Sequence, residues 1–357
     1  MKPRPVIQTA GDGLQQNGGE GLVPSRNVGE GLVPSRAALV TSEEHESGRM
    51  DLSARPRGHK GRPYIHGWLP ALICGAILAA PPQAAARPIV VLMTDFGHLA
   101  DSVAICKGVM LGINPELTIV DLTQDVPHFD IGAGALLLEG AVKYYPKGTA
   151  FVAVVDPGVG TQRRSIAART QSGHYLVGPD NGLLSLALDQ LGAEEVREIT
   201  NRALFNQLDP ISNTFHGRDI YSPIGAHLAS GVEFASVGPV VRDWIRLPRS
   251  EPSREDGVLR GEAAFIDTVF GNITTNIPAQ WMAELGVRAG DFVDVRIGEK
   301  RLILRFARTF GEVELGELLI YPSSRGVLDL AIRQGDFAVT FGTRPHHLIE
   351  IRPFQRP

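Results

Sequence analysis

Short apolar runs alternate with segments of helical periodicity between residues 87 and 230. The runs end in polar residues, and they lie at Arg87–Gly97 ("RPIVVLMTDFG"), Leu117–Thr123 and Thr149–Asp156. Continuous apolar runs are typical of parallel strands that are buried on both faces. Helical spacing follows in Asp101–Ile113, Asp130–Tyr145 and Asp219–Ser230, and His174–Leu188 adds one more strand and helix. The alternation predicts an α/β domain with a mostly parallel sheet.

The pattern changes after Leu247–Gly257, a charged segment that contains proline. Beyond it the apolar runs are shorter and turn residues separate them, which predicts a small all-β, barrel-like domain. The runs are "RGEAAFIDTVFGN", "DFVDVRIG", "KRLILRFARTF", "GELLIYPSS" and "DFAVTFG". We therefore expect an N-terminal α/β domain at residues 87–247, a linker at 248–257 and a C-terminal β-barrel domain at 258–357.

The first part of the chain differs from both predicted domains. Asn17–Arg26 ("NGGEGLVPSR") is followed at once by the near-copy Asn27–Arg36 ("NVGEGLVPSR"), and both are rich in glycine, proline and serine. Two short copies cannot bury the core that a solenoid needs. We expect residues 1–49 to be disordered, or to be translated sequence upstream of a start at Met50.

Residues 50–86 have the order of features that a secretory signal has. Basic residues follow Met50, the apolar run Trp68–Ala80 comes next, and small residues precede Ala86. The run is short for a membrane span. We predict a signal peptide cleaved after Ala86, a periplasmic or secreted protein and no stable membrane span after cleavage. An N-terminal membrane anchor is the alternative, and the protein is cytoplasmic if the signal does not function.

Composition narrows the classes of function. The chain has 357 residues, 43% of them hydrophobic, and a net charge of −4. The length suffices for two domains with cores, and no basic field favours nucleic acid. Of the two cysteines, only Cys106 remains after the predicted cleavage. The mature chain therefore has neither an internal disulfide nor a site with several thiolate ligands.

Polar side chains stand where the predicted strands end. Asp95 follows the first strand, Asp156 follows the third, and Arg163 comes soon after a Pro-Gly turn. Ligands bind beyond the carboxyl ends of strands in such sheets, and a carboxylate there can accept hydrogen bonds from a ribose diol. Asp, Arg and His side chains together can orient a water. Each residue alone also fits a turn, a cap or a core position, and no dinucleotide fingerprint, phosphate-binding loop or nucleophile elbow is present.

Six motifs, taken together, resemble one family. "TDFG", "VVDPGVGTQRRSIA", "GPDNGLL", "TFHGRD", "FGNITTN" and "SSRG" follow in order between Pro88 and Pro353. They resemble the S-adenosyl-L-methionine (SAM) hydroxide adenosyltransferases, or SAM hydrolases, which are relatives of the fluorinase and chlorinase enzymes. The resemblance implies an α/β domain that binds SAM, a C-terminal β-barrel and a homotrimer with sites between subunits. It implies no metal and no redox cofactor.

The resemblance also implies a reaction, the hydrolysis of SAM to adenosine and L-methionine. Asp156, Arg163 and His216 match a catalytic triad that handles the attacking water. In the halogenases a tyrosine replaces this aspartate, and a serine stands where this chain has Gly217. Both differences favour water over halide as the nucleophile.

The remaining matches concern substrate binding and rest on motif register. Asp95 matches the carboxylate that holds the ribose diol, with Ser102 nearby, and Phe129 and Phe215 match aromatic residues near the ribose and the reaction centre. The residues matched to the methionine end of SAM and to the adenine pocket are, respectively, Asp267, Ser324 and Arg325, and Phe270, Asn272 and Phe310. Two alternatives stay open: a protein that binds SAM or adenosine without chemistry, and a halide-dependent adenosyltransferase.

Overall fold

The structure is a computed structural model that describes residues 87–208 and 210–355. The near-repeat and the predicted signal peptide lie outside the described residues. Among the residues that are described, no helix is long and apolar enough to cross a membrane.

The first half of the described chain forms a six-stranded sheet with helices on both faces. Its strands are β1 (Ile89–Thr94), β2 (Thr118–Thr123), β3 (Ala150–Val154), β4 (Ser165–Thr170), β5 (Tyr175–Pro179) and β6 (Ala193–Glu198). Its helices are α1 (Ser102–Ile113), α2 (Ile131–Val142), α3 (Ser185–Leu191) and α4 (Ser222–Ala229). The predicted α/β fold with a mostly parallel sheet is confirmed, because β2, β1, β3 and β5 are parallel neighbours. Strands β4 and β6 were not predicted from the sequence, and β4 runs antiparallel to both of its neighbours.

Alternate residues of the central strands enter two separate cores. Val90 and Leu92 of β1 pack with α1 and α4 on one face, whereas Val91 and Met93 pack with α2 and α3 on the other. Helix α4 lies so close to β3 that a Cβ at Gly225 would stand 2.2 Å from a methyl group of Val152. The two-sided burial explains why these strands are continuously apolar.

The order of the strands reverses at β1. The sheet runs β2-β1-β3-β5-β4-β6. The chain passes from β1 to β2 on one side of β1 and then crosses to β3 on its other side. Thr94 at the end of β1 pairs with Val154 at the end of β3. The loops that follow these two strands therefore flank the crevice where open α/β sheets bind ligands.

Two helix starts near this crevice differ in their caps. Asp130 caps α2, because its Oδ1 accepts a hydrogen bond of 2.8 Å from the Ala133 N–H. Asp101 occupies the corresponding position of α1, but its side chain makes no capping hydrogen bond. The predicted helix from Asp219 begins earlier, as a widened π-helical turn at Gly217–Tyr221 that continues into α4.

The second half of the described chain forms a closed barrel. Its elements are β7 (Ser253–Glu255), β8 (Val258–Ile266), β9 (Ile273–Pro278), α5 (Trp281–Glu284), β10 (Phe292–Ile297), β11 (Lys300–Phe306), β12 (Leu318–Pro322), β13 (Val327–Ile332), α6 (Phe337–Phe341) and β14 (Leu348–Pro353). Seven strands, β8 to β14, close through the β14–β8 pairing, and β7 is appended to β8. The predicted strand "DFAVTFG" is wrong: it forms α6, whose first turn Asp336 caps by accepting from the Val339 N–H at 2.7 Å.

The connection between the two sheets is tied to the first one. The Asp180 carboxylate accepts hydrogen bonds from the Ile245 N–H and from Arg164 Nε, both at 2.8 Å. The Leu247 N–H donates to Ser185 Oγ at 3.2 Å. Strand β7 lies inside the predicted linker, and the exact domain boundaries stay predictions.

Asp329 is a buried carboxyl group in the barrel. It is 8% exposed, and its Oδ1 has no hydrogen-bond partner among the described residues. The Tyr321 hydroxyl donates to Oδ2 at 3.4 Å. Burial raises the pKa of Asp329 to about 6, against the opposing effect of its hydrogen bonds.

This carboxyl should make stability depend on pH. Its folded pKa lies above the unfolded value of about 3.9, so folding favours the protonated form and the penalty for ionisation grows as pH rises through about 6. Relative to Asp329→Asn, the wild-type protein should gain up to about 3 kcal/mol of unfolding free energy between pH 7.5 and pH 4. Urea unfolding at several pH values measures this difference. Asp256→Asn, at an exposed turn, is the control, and a difference that stays constant with pH would contradict the analysis.

Candidate active site

A cavity of about 210 Å³ lies at the carboxyl ends of β1 and β3. Five residues singled out from the sequence line it: Asp95, Phe129, Asp156, Phe215 and His216. Its other lining residues were not predicted as site residues from the sequence, although Gly217 was compared with the halogenases; they are Phe96, His128, Val154, Val159, Thr214 and Gly217. The cavity occupies the crevice where the strand order reverses.

The segment after β3 is a tight turn that brings the chain back on itself. The Val159 N–H donates to the Asp156 carbonyl at 3.2 Å. Gly160 has a φ of 76°, and a Cβ there would stand 2.2 Å from the Asn213 carbonyl oxygen, so the position requires glycine. The turn returns Arg163 to the side chain of Asp156, with which the segment began.

Arg163 connects three parts of the site. Its Nη2 donates to Asp156 Oδ2 at 2.7 Å and lies 3.2 Å from His216 Nδ1. Its Nη1 donates to the Arg164 carbonyl at 2.6 Å and to Ser165 Oγ at 3.3 Å. The side chains of Arg163 and Asp156 are only 9% and 5% exposed, so the ion pair is poorly screened by solvent.

Tyr221 lies beneath this cluster, and the sequence analysis missed it. Its side chain is fully buried, and its hydroxyl lies 3.2 Å from both Asp156 Oδ2 and Ser165 Oγ. The Arg163 guanidinium lies 5.8 Å from the centre of the Tyr221 ring. The only signal in the sequence is the position of Tyr221, five residues after His216 in "HGRDIY".

Burial shifts the titration of all three ionisable neighbours of Arg163. It raises the pKa of Asp156, against the opposing effects of Arg163 and of the Tyr221 hydrogen bond. Burial, followed by the charge of Arg163, lowers the pKa of His216. Burial also raises the pKa of Tyr221. His216 and Tyr221 are therefore neutral at pH 7.

Asp95 lines the same cavity and fixes the backbone of Phe129. It is 8% exposed, and its Oδ2 accepts a hydrogen bond of 3.0 Å from the Phe129 N–H. Phe129 has a φ of 65°, a conformation that is uncommon for residues other than glycine, and its side chain is 70% exposed. Backbone strain of this kind clusters at ligand-binding sites.

The other predicted site residues do not reach this cavity within one chain. Ser102 begins α1, and the six barrel residues lie elsewhere among the described residues. Phe270 and Phe310 are 66% and 36% exposed, and Asp267 accepts hydrogen bonds from the Val269 and Phe270 N–H groups in its own turn.

The other three barrel residues lie in two places. The backbone carbonyl of Asn272 accepts from the Asp267 N–H at 2.9 Å. Ser324 and Arg325 line a separate cavity of about 760 Å³ between α2 and the barrel. There Arg325 Nη1 donates to the Leu136 carbonyl at 2.9 Å.

Comparison with known proteins covers both sheets. The family model for the SAM hydroxide adenosyltransferase N-terminal domain matches residues 90–238, and the model for its C-terminal domain matches residues 261–350. The chain belongs to the SAM hydroxide adenosyltransferase family. The resemblance seen in the six sequence motifs is thereby confirmed.

Individual relatives agree with this membership. The chain is 37% identical over 266 residues to an (R)-S-adenosyl-L-methionine hydrolase from Salinispora tropica, with 73% of this chain and 96% of the relative covered. It is 31% identical over 294 residues to a fluorinase from Nocardia brasiliensis, with 74% and 97% covered. A crystal structure of an uncharacterized conserved protein from Thermotoga maritima has a TM-score of 0.70 and 39% identity, and the match covers 74% of this chain and 99% of that one.

The charge of Arg163 should be visible in the titration of His216. Arg163→Ala removes a cation that lowers the pKa of His216 and leaves the neighbouring Asp156 carboxylate without its ion-pair partner, so the pKa of His216 should rise. NMR titration of the histidine ring measures the change. His174 is the internal control, because burial lowers its pKa without Arg163 as a cause. An unchanged His216, or an equal shift of His174, would contradict the assignment.

Proposed function

We propose that this protein hydrolyses S-adenosyl-L-methionine to adenosine and L-methionine. The observation that carries the proposal is the contact of Arg163 with both Asp156 and His216, two residues that line one cavity at the strand-order reversal. The similarity to relatives named (R)-S-adenosyl-L-methionine hydrolase at 35–37% identity supports the same reaction.

The reaction places few demands on the protein. Water attacks the ribose 5′-carbon, the bond from that carbon to sulfur breaks, and its electron pair stays on sulfur. The sulfonium cation becomes the neutral thioether of methionine, so the leaving group needs no proton. The protein must hold the water about 3–3.5 Å from the carbon, in line with the sulfur, and accept a proton from it. Asp156, Arg163 and His216 supply the charge and the hydrogen-bonding groups for this task.

Two features favour water over halide as the nucleophile. Asp156 is buried in contact with Arg163, so a carboxylate stands where the halogenases have a tyrosine. A Cβ at Gly217 would lie 3.0 Å from the Phe96 ring, so the ring would have to shift before a larger residue could stand there. The alignments with the relatives named fluorinase run over 286–294 residues, whereas those with two hydrolases run over 265–266. Both sets cover 72–74% of this chain. The fluorinases therefore contain residues without a counterpart here.

The names of the relatives suggest the stereochemistry of the substrate. The "L" in S-adenosyl-L-methionine specifies the α-carbon, so the additional descriptor "(R)" refers to the sulfonium centre. We propose that this protein likewise acts on the epimer with R configuration at sulfur. An enzyme that requires in-line attack can discriminate between the epimers, because inversion at sulfur exchanges the positions of the methyl group and the methionine chain.

The cavity in a single chain is incomplete for this substrate. Its volume of about 210 Å³ is below the roughly 300–1,000 Å³ of pockets that enclose drug-sized ligands, and no described barrel residue lines it. The residues matched to the adenine pocket include the exposed Phe270 and Phe310. We therefore propose that a second copy supplies the barrel wall, within a homotrimer. Export through the predicted signal also stays a proposal.

The purified protein should release adenosine and methionine in equal amounts from SAM. Chromatography of reactions with and without chloride, supplied with each sulfur epimer, measures both products. We expect the amounts not to depend on chloride and the R epimer to be preferred. A chlorinated nucleoside would indicate the halide-dependent reaction, and SAM binding without products would indicate a capture protein.

Single substitutions should separate chemistry from binding. Asp156→Ala and His216→Ala should lower kcat by about a hundredfold or more with a smaller effect on SAM affinity, because they remove groups that act on the water. Asp95→Ala should weaken SAM binding as well, because the carboxylate matches the one that holds the ribose diol. Calorimetry measures affinity, and Asp189→Ala on the exposed side of α3 is the control. Wild-type turnover in Asp156→Ala would refute the triad.

A further inference from the structure

The two carboxylate oxygens of Asp156 have different surroundings. Oδ2 is within hydrogen-bonding distance of Arg163 Nη2, at 2.7 Å, and of the Tyr221 hydroxyl, at 3.2 Å. Oδ1 is buried and makes no hydrogen bond of full geometry with a described residue, although the Gly158 N–H interacts with the carboxylate and lowers its pKa. A buried polar atom of this kind calls for a partner, and the residue lines the cavity where the substrate is proposed to bind.

The donor that accompanies Arg163 at Oδ2 is held by an unusual backbone turn. Tyr221 ends the π-helical turn that starts after His216, and the Ser222 N–H donates to the Gly217 carbonyl five residues earlier. In an ordinary α-helix, side chains five residues apart point about 140° away from each other. The wider turn brings His216 and Tyr221 to the same site, with ring centres 6.4 Å apart. Such turns occur frequently at functional sites.

The hydrogen atoms of the cluster can be assigned from one fact. An arginine guanidinium only donates hydrogen bonds, so the Arg163 Nη2 contact of 3.2 Å makes His216 Nδ1 an acceptor. A neutral histidine that accepts at Nδ1 carries its proton on Nε2. In this state His216 can donate a hydrogen bond to a water but cannot take a proton from it at Nε2.

We propose that Tyr221 is a positioning residue that, with Arg163, occupies Asp156 Oδ2 and leaves Oδ1 to accept the proton of the attacking water. The inference rests on the proposed hydrolysis. As the water oxygen bonds to the ribose 5′-carbon and the carbon–sulfur bond breaks, one water proton passes to Asp156 Oδ1 and the other stays on the new hydroxyl of adenosine. Asp156 then releases its proton to solvent.

The groups around Asp156 determine its pKa and therefore how activity should depend on pH. Arg163, His216 and Tyr221 face its carboxylate, and Asp95 lies in the same cavity. Burial raises the pKa of Asp156, whereas Arg163, the Tyr221 hydrogen bond and, less strongly, His216 and the Gly158 N–H favour its ionised form. Removal of the Tyr221 hydroxyl should therefore raise this pKa further and move the acidic limb of activity to higher pH.

Tyr221→Phe is the decisive variant, because it keeps the buried ring and removes only the hydroxyl. We expect kcat to fall about tenfold at neutral pH, with KM for SAM changed by less than about twofold. The acidic limb of kcat/KM should shift to higher pH. Tyr175→Phe is the matched control, because Tyr175 is a partly buried tyrosine of β5 that packs against Phe234 and lies outside the cavity. An unshifted pH profile, or a raised KM with unchanged kcat, would overturn the proposal.

Two NMR measurements test the arrangement without turnover. With [4-13C]aspartate labelling, and Asp156→Asn to assign the signal, the pKa of Asp156 should be higher in Tyr221→Phe than in the wild type. In the wild-type protein, 15N shifts should show His216 protonated at Nε2, and protonation at Nδ1 would overturn the proposal even if Tyr221→Phe fails to fold. If the wild-type protein releases no adenosine but both NMR results hold, the proposed reaction fails whereas the hydrogen-bond arrangement stands.

Discussion

The buried pairing of Asp156 with Arg163 is the interaction on which the site depends. Both charges are shielded from water, and Arg163 Nη1 and Nη2 also contact the Arg164 carbonyl, Ser165 and His216. Its Nε is buried without a hydrogen-bond partner among the described residues. A buried pair with one partner removed is strongly destabilised, typically by about 3–5 kcal/mol. The turn from Asp156 to Arg163 is therefore as much a structural element as a chemical one, and its glycine at position 160 is required by backbone contact with Asn213.

The position of this pair follows from the sheet. Reversal of the strand order at β1 places the ends of β1 and β3 side by side, so that Asp95 and Asp156 face one crevice although 60 residues separate them in sequence. Arg163 and its neighbour Arg164 immediately precede β4. Arg164 ties this segment to the chain that leads to the barrel through Asp180 and Asp243. Two adjacent residues before β4 thus hold the cavity residues Asp156 and His216 on one side and the interdomain connection on the other.

Much of this architecture could be predicted from the sequence, and the exceptions have physical reasons. The continuous apolar runs of β1 and β3 identify buried parallel strands, but β6, which lies at the sheet edge, carries charged residues and lacks that signal. "DFAVTFG" reads as a strand because valine, threonine and phenylalanine favour strands, yet the Asp336 cap decides for a helix. In the site, Asp95 and Asp156 could be found at strand ends, and Arg163 and His216 from the motifs that resemble the family. Tyr221 could not, because a tyrosine in an apolar helix is indistinguishable from a core residue until the π-helical turn is seen.

Closure of the barrel limits how this half of the molecule can meet other chains. Strands with a free edge can recruit an added strand through backbone hydrogen bonds, but the β14–β8 pairing uses the edges that seven strands would otherwise leave. Strand β7, with three residues, is the one edge strand that the described barrel keeps, so recognition of a neighbouring chain relies more on side chains and loops than on strand addition. The turn that carries Val269 and Phe270, both largely exposed, presents such a surface. The specificity of contacts at this turn would depend on the shape and chemistry of a few side chains. Single substitutions can change these side chains without disturbing the register of the strands.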